Sequence, residues 1–278
     1  MLKLIGHTPL IPIPHPQSRI LGKWEGRNLT GSSKDRAVLA MLNAANLPAG
    51  STVVEATSGN TGISLAALSA ARGLRCIIAM PENMSRERVA RMTAYGAQVL
   101  LTPAAEGMAG AVRRARQLAA GDPAVFYLDQ FENSANLQAH YQTTGPEIWQ
   151  DTAGKADIFV AGVGTGGTVS GTGRFLKQQN SSIRIVAVEP AAGSLIPGLG
   201  AGFLPGILDR SVIDETVAVT AAEAAASGER LRHTGLLAGP SSGAAVHAAR
   251  LLAARPENRG KTIVALLPDT GCRYLSEM

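Results

Sequence analysis

The chain has 278 residues, of which 45% are hydrophobic, 17% charged and 4% aromatic, with a net charge of +5. This is an ordinary globular composition, with room for one sizeable core or two smaller lobes packed from Ala, Leu, Val and Ile. Two cysteines exclude a disulfide framework, no apolar stretch is long enough to span a membrane, and Met1-Leu-Lys-Leu-Ile5 is not a signal peptide.

The expected location is therefore cytoplasmic, with no membrane partner. The excess positive charge suits small anionic ligands or a merely basic surface. The one local basic run, Arg113-Arg114-Ala-Arg116, lies on a predicted helix without interleaved aromatics, so it reads as a solvated face and no nucleic acid is expected. No metal is expected either.

The opening Ile5-Gly-His-Thr-Pro-Leu10, with prolines at 12, 14 and 16, reads as extended and loop-like. Gly31-Ser-Ser33 then leads into a helix predicted over 35–47, with Val38, Met41, Leu42 and Ala45 at helical spacing. From residue 51 strands and helices alternate. Strands are predicted at 52–56, 74–80, 97–101, 124–128, 157–161, 183–188, 212–219 and 262–267. Helices are predicted at 61–72, 85–95, 106–119, 135–149, 167–178, 221–232 and 242–254. Short apolar strands separated by helices imply parallel sheets covered on both faces, an α/β fold. The region near 135–150 reads as a passage between two lobes. The expected division is a smaller α/β lobe over 36–139 and a larger one made of 1–35 with 140–278. Cys76, inside an apolar run, reads as a small core hydrophobe, and Cys272 as an exposed thiol in a turn.

Five segments carry chemistry. Lys34 stands at the mouth of the first helix, where the positive end of the backbone dipole favours the neutral amine that a Schiff base needs. Alone it reads more readily as a solvated surface charge, as most lysines near helix starts are. Glu55-Ala-Thr-Ser-Gly-Asn-Thr-Gly62 follows a strand and opens a helix. Hydroxyls at Thr57, Ser58 and Thr61 and the close approach allowed by Gly59 suit a carboxylate. The alternative is a capping loop with Ser58 or Asn60 as cap. Gly162-Val-Gly164-Thr165-Gly166-Gly167-Thr168 follows another strand and forms a nest for a phosphate monoester. It also matches the G-x-G-x-x-G dinucleotide pattern, with Glu189 in the acidic position, which leaves a nicotinamide-dependent enzyme as an alternative. The turn Gly239-Pro-Ser-Ser-Gly243 precedes the last helix, and Pro268-Asp-Thr-Gly271 follows the last strand. All four Gly-rich loops are expected at the carboxyl ends of strands, where ligands collect.

Gly31-Ser-Ser-Lys34-Asp-Arg, Thr57-Ser-Gly-Asn-Thr-Gly62, Gly164-Thr-Gly-Gly-Thr168 and Ser241-Ser-Gly243 together resemble the motifs of the cysteine synthase (O-acetylserine sulfhydrylase) family. The likeness extends through Met84-Ser-Arg-Glu-Arg88, Tyr95-Gly-Ala97, Asp129-Gln-Phe-Glu-Asn133, Thr143-Thr-Gly-Pro-Glu-Ile148 and Arg273-Tyr-Leu-Ser276. Ser-Lys-Asp-Arg and 84–88 are similar to the B-type enzymes, Gly198-Leu-Gly-Ala-Gly-Phe203 to the A-type. His7 stands where the family usually shows Asn, the segment between Pro12 and Lys23 is short, and basic residues used by some members near 194–206 are absent.

The resemblance implies the tryptophan synthase β-like fold and pyridoxal 5'-phosphate as cofactor. It assigns Lys34 the Schiff base, Asn60 the ring hydroxyl oxygen, Gly164, Thr165, Gly166, Gly167 and Thr168 the phosphate, and Ser241 the ring nitrogen. Thr57, Ser58, Gly59, Thr61 and Gln130 go to the substrate carboxylate. The reaction implied is replacement of the acetyl ester of O-acetylserine by sulfide, in a homodimer, with the C-terminal peptide of a serine acetyltransferase as a further partner. The alternatives are a cystathionine β-synthase-like or serine dehydratase-like reaction, or a non-catalytic relative.

Overall fold

The computed structural model describes residues 2–275; Met1 of the opening segment and Ser276 of the Arg273-Tyr-Leu-Ser276 motif lie outside the described residues. In chain order the strands are β1 (Leu10–Ile13), β2 (Arg19–Trp24), β3 (Thr52–Ala56), β4 (Arg75–Pro81), β5 (Gln98–Thr102), β6 (Val125–Tyr127), β7 (Ile158–Gly162), β8 (Arg184–Pro190), β9 (Glu215–Val219) and β10 (Thr262–Leu267). The α-helices are α1 (Lys34–Ala45), α2 (Asn60–Arg72), α3 (Arg86–Ala94), α4 (Gly107–Gly121), α5 (Ser134–Ala139), α6 (Gly145–Asp151), α7 (Gly167–Gln179), α8 (Ala221–His233) and α9 (Pro240–Ala253). They divide into two compact units, Met1–Ser33 with Asn136–Met278, and Lys34–Ala135.

The larger unit holds a six-stranded sheet in the order β1-β2-β10-β7-β8-β9, parallel except where β1 meets β2. Its side chains alternate by face, as pleated strands require. Ile158, Val160, Val186, Val188 and Ile263 pack with Ala244, Ala248 and Leu252 of α9. Phe159, Ala161, Ile185, Ala187 and Val264 pack with Val169 and Leu176 of α7. The smaller unit holds a four-stranded parallel sheet in the order β5-β4-β3-β6. Val54, Ala56 and Ala79 pack there against Ala111 and Ala115 of α4. All five residues of β3 are buried, so it reads as an unbroken run. Cys76 is buried in β4, and burial pushes its thiol up to about 12. Cys272 is exposed.

The structure corrects the expectations in three places. The opening is not wholly loop: β1 and β2 form an antiparallel pair, with Pro12 opposite Leu21 on the sheet's edge strand, where a missing N–H is tolerated. The helix expected over 135–149 is broken by a π-helical turn, His140–Thr144, between α5 and α6. The turn Gly239-Pro-Ser-Ser-Gly243 does not follow a strand. It follows α8 and joins the loop after β10 through the isolated bridge of Ala238 with Thr270.

Candidate active site

In the smaller unit Lys34 is half-buried and is the first residue of α1. Asp35 beside it is fully buried, and its Oδ1 accepts from Ser64 Oγ at 2.6 Å, which ties α1 to α2. β3 ends at Ala56, and Thr57 N still donates to Ala79 O of β4 at 3.0 Å. The turn that follows delivers the start of α2. Its N-cap is Gly59, and no side chain caps it, so neither Ser58 nor Asn60 serves as the cap. An uncapped helix start presents amide hydrogens and a partial positive charge, as an anion needs. Thr57 Oγ1 accepts from Gly59 N at 3.2 Å, which leaves its hydroxyl hydrogen to donate. Thr61 Oγ1 donates to Gln130 Oε1 at 2.6 Å, and Gln130 Nε2 donates to Ala56 O at 3.3 Å. Thr57, Thr61 and Gln130 are buried, whereas Ser58, Gly59 and Asn60 are half-buried. The turn is tight: a Cβ on Gly62 would come within 2.6 Å of Met92 Cε and 3.1 Å of Thr57 Cγ2.

In the larger unit the loop after β7 is built from backbone. Gly164 passes so close to residue 198 that a Cβ there would lie 2.6 Å from Gly198 O. Gly166 is the N-cap of α7 at φ +83°, a conformation that favours glycine. A Cβ on Gly167 would collide with Asn136 Oδ1. Thr165 and Thr168 are buried, and each hydroxyl is held from behind. Asn136 Nδ2 donates to Thr165 Oγ1 at 3.1 Å, and His140 Nε2 lies 3.2 Å from Thr168 Oγ1. The other ring nitrogen, His140 Nδ1, is 2.9 Å from Thr144 Oγ1. The π-helical turn thus serves the loop, in keeping with where such turns occur. Ser241 is buried in the first turn of α9 near the same segment: a Cβ on Gly198 would lie 3.7 Å from Ser241 Oγ.

Three residues of this arrangement were not singled out from the sequence: Glu55, Asn136 and His140. Glu55 Oε2 accepts from Gln130 N at 3.1 Å, and burial raises its carboxyl to about 8. His140 and Thr144 stand four apart, a spacing that could have paired them on one helix face. Glu55 and Asn136 meet partners 75 and 29 residues away, which no local pattern signals.

Residues 1–269 match the family described as pyridoxal-phosphate dependent enzyme. The chain belongs to that family. As a pyridoxal-phosphate-dependent enzyme it is 44% identical over 297 residues to cysteine synthase A of Salmonella typhi, covering 98% of this chain and 92% of that protein. Among solved structures, cysteine synthase (OASS) from Entamoeba histolytica aligns with a TM-score of 0.94 at 39% identity, covering 99% of this chain and 88% of that one. O-ureido-L-serine synthase aligns with a TM-score of 0.95 at 39% identity, covering 99% and 92%.

The residues present fit the cofactor. A Cβ-free cradle at Gly164, Gly166 and Gly167, opening onto a helix start without a side-chain cap, matches a phosphate group held by backbone amides. Lys34, at the start of α1, carries an amine of the kind the cofactor's aldehyde would take.

Proposed function

We propose that this pyridoxal-phosphate-dependent enzyme makes L-cysteine by replacing the acetoxy group of O-acetylserine with sulfide. One observation carries the reading: α2 starts without a side-chain cap, with the hydroxyls of Thr57 and Thr61 and the amide of Gln130 gathered at its mouth. That arrangement suits the carboxylate of an amino acid. The names of the relatives at 44% and 39% identity support it.

Gly164, Thr165, Gly166, Gly167 and Thr168 hold the phosphate, Asn60 the ring hydroxyl oxygen and Ser241 the ring nitrogen. Bound pyridoxal phosphate supplies an aldehyde for amines and a ring that delocalises charge from Cα. Ser241 is neutral, so it bonds the ring nitrogen without pairing a full positive charge as a carboxylate would. Thr57, Ser58, Gly59, Thr61 and Gln130 orient the substrate carboxylate. Thr61 has its hydroxyl hydrogen on Gln130, so an arriving carboxylate competes with Gln130 for it. Lys34 holds the cofactor through Nζ. Once the substrate's amino group has displaced it, its free amine takes the proton from substrate Cα as acetate departs, and returns one to Cα after sulfide adds to Cβ.

Cysteine formation, measured against pyruvate release from O-acetylserine with and without sulfide, tests the reaction. Lys34→Ala should cut turnover by about 10³-fold, within the range for a lost acid–base group. Borohydride reduction of the wild-type protein, followed by peptide mass mapping, should place a pyridoxyl adduct on Lys34. Near wild-type turnover by the variant, or an adduct elsewhere, refutes the assignment. A second reading keeps the amino-acid half and changes the incoming group to an oxygen nucleophile, favoured by the likeness to O-ureido-L-serine synthase. Competition between sulfide and oxygen nucleophiles separates the two.

No helix among the described residues is long and apolar enough to cross a membrane. The same reading proposes a cytoplasmic homodimer, testable by light scattering. It also proposes the C-terminal peptide of a serine acetyltransferase as a partner, testable by peptide titration.

A further inference from the structure

Glu55 is fully buried at the fourth position of β3. Its Oε1 accepts from Ala56 N at 2.8 Å and its Oε2 from Gln130 N at 3.1 Å. Gln130 returns a bond to Ala56 O and accepts from Thr61 Oγ1. One carboxylate therefore links the end of β3, the loop after β6 and the first turn of α2. The titratable groups facing it are Asp129 after β6, Tyr127 on β6 and Cys76 on β4. Behind Asp129 stand Glu132 and Arg116 of α4, the latter at 3.6 Å. None of the three groups facing Glu55 is a cation, and a buried carboxyl in such company is costly. Where shape alone is needed, an uncharged residue serves at lower cost.

We infer that Glu55 is a positioning residue for the substrate carboxylate, fixing the main chain of Ala56 and Gln130 so that Thr57, Thr61 and Gln130 meet that carboxylate together. The inference rests on the reading that these three residues bind it. An ionised Glu55 accepts both amide hydrogens strongly, whereas a protonated one offers a single good acceptor oxygen. Its hold therefore tightens as pH rises through about 8, the value to which burial lifts it.

The test uses the holoenzyme as wild type, Glu55→Ala and Glu55→Gln, with glycine as a probe that carries the carboxylate and no leaving group. Calorimetric titration from pH 6.5 to 9 gives affinity, visible absorbance gives cofactor content, and steady-state kinetics give KM and kcat. Glu55→Ala should weaken glycine binding about tenfold and raise KM for O-acetylserine alike, with kcat within about threefold. Glu55→Gln, which keeps one acceptor oxygen, should lose about threefold and retain its cofactor. The ratio of wild-type to Glu55→Gln affinity cancels the probe's own titration and should grow with pH. Wild-type affinity in both variants, a ratio flat across pH, or a Glu55→Gln protein that loses its cofactor or its fold overturns the inference. If Glu55→Ala does not fold, Glu55→Gln carries the test. A wild-type holoenzyme that neither binds glycine nor turns over refutes the underlying reading, and the inference with it.

Discussion

Two loops follow strand ends and open helices, and they are built in opposite ways. The loop at 162–168 is mostly glycine, its conformation fixed by close backbone approaches and by one residue at φ +83°. The hydroxyls it carries are held from behind by an amide and an imidazole, Asn136 and His140. The loop at 57–62 carries its polarity in side chains, with Thr61 bonded to Gln130 and a buried carboxyl, Glu55, behind Gln130. The difference fits the two anions assigned to them. A cofactor phosphate stays bound, so a rigid cup of amides, its two hydroxyls pinned by Asn136 and His140, serves it. A substrate carboxylate comes and goes, so hydroxyls that trade one partner for another serve it better.

Substitutions can break this contrast. The largest effect is expected for Gly164→Ala, whose methyl would meet a backbone oxygen at 2.6 Å. Such overpacking costs on the order of 1–3 kcal/mol. Its cofactor should dialyse away, and its melting temperature should fall even when measured without cofactor; a stable, fully loaded variant would mean the cup is soft. Next comes the pH dependence of stability. The carboxyl of Glu55 is raised from 4.5 to about 8 in the fold, so the native state binds a proton that the unfolded chain releases. Its contribution to stability is full below 4.5 and is lost as pH rises through about 8. Denaturant titrations of Glu55→Gln should show a flatter fall in stability between those values than wild type. An identical slope would show that the carboxyl does not titrate there. Thr61→Val should raise KM for O-acetylserine about tenfold with cofactor content unchanged, the expected scale for a lost bond to a charged group. Cofactor loss in that variant would erase the division of labour between the loops. The smallest effect belongs to Gly59→Ala, whose Cβ has nothing within 4 Å. Its stability should stay within about 0.5 kcal/mol of wild type, with KM the quantity that moves. A large drop in melting temperature would make the second loop as rigid as the first.

Much of this was legible in the sequence because the signals are local. Apolar runs such as Val53-Val54 and Phe159-Val160 marked strands buried on both faces, and the hydroxyl and glycine positions of both loops sit within a few residues of each other. What escaped depends on distant partners. β2 was hidden by Gly22 and by Lys23, whose charge reads as surface yet is fully buried, 2.9 Å from Glu147 and 3.1 Å from Asp151. Gly22 passes so close to Leu267 that a Cβ would lie 2.5 Å from Cδ1, a need for glycine that nothing nearby announces. The π-helical turn adds one residue to a helical pattern that still reads as continuous. Glu55 looked like one more polar residue at a strand's end, since its partner Gln130 is 75 positions away.

The two cysteines have a practical consequence. Cys76 is sealed within β4 with its thiol pushed up to about 12, so almost no thiolate forms there at neutral pH. Cys272 lies exposed in the loop after β10. The wild-type chain therefore comes ready for single-site maleimide chemistry. A fluorophore or spin label attached at that one sulfur would give a reporter on this loop without any engineered replacement of the other.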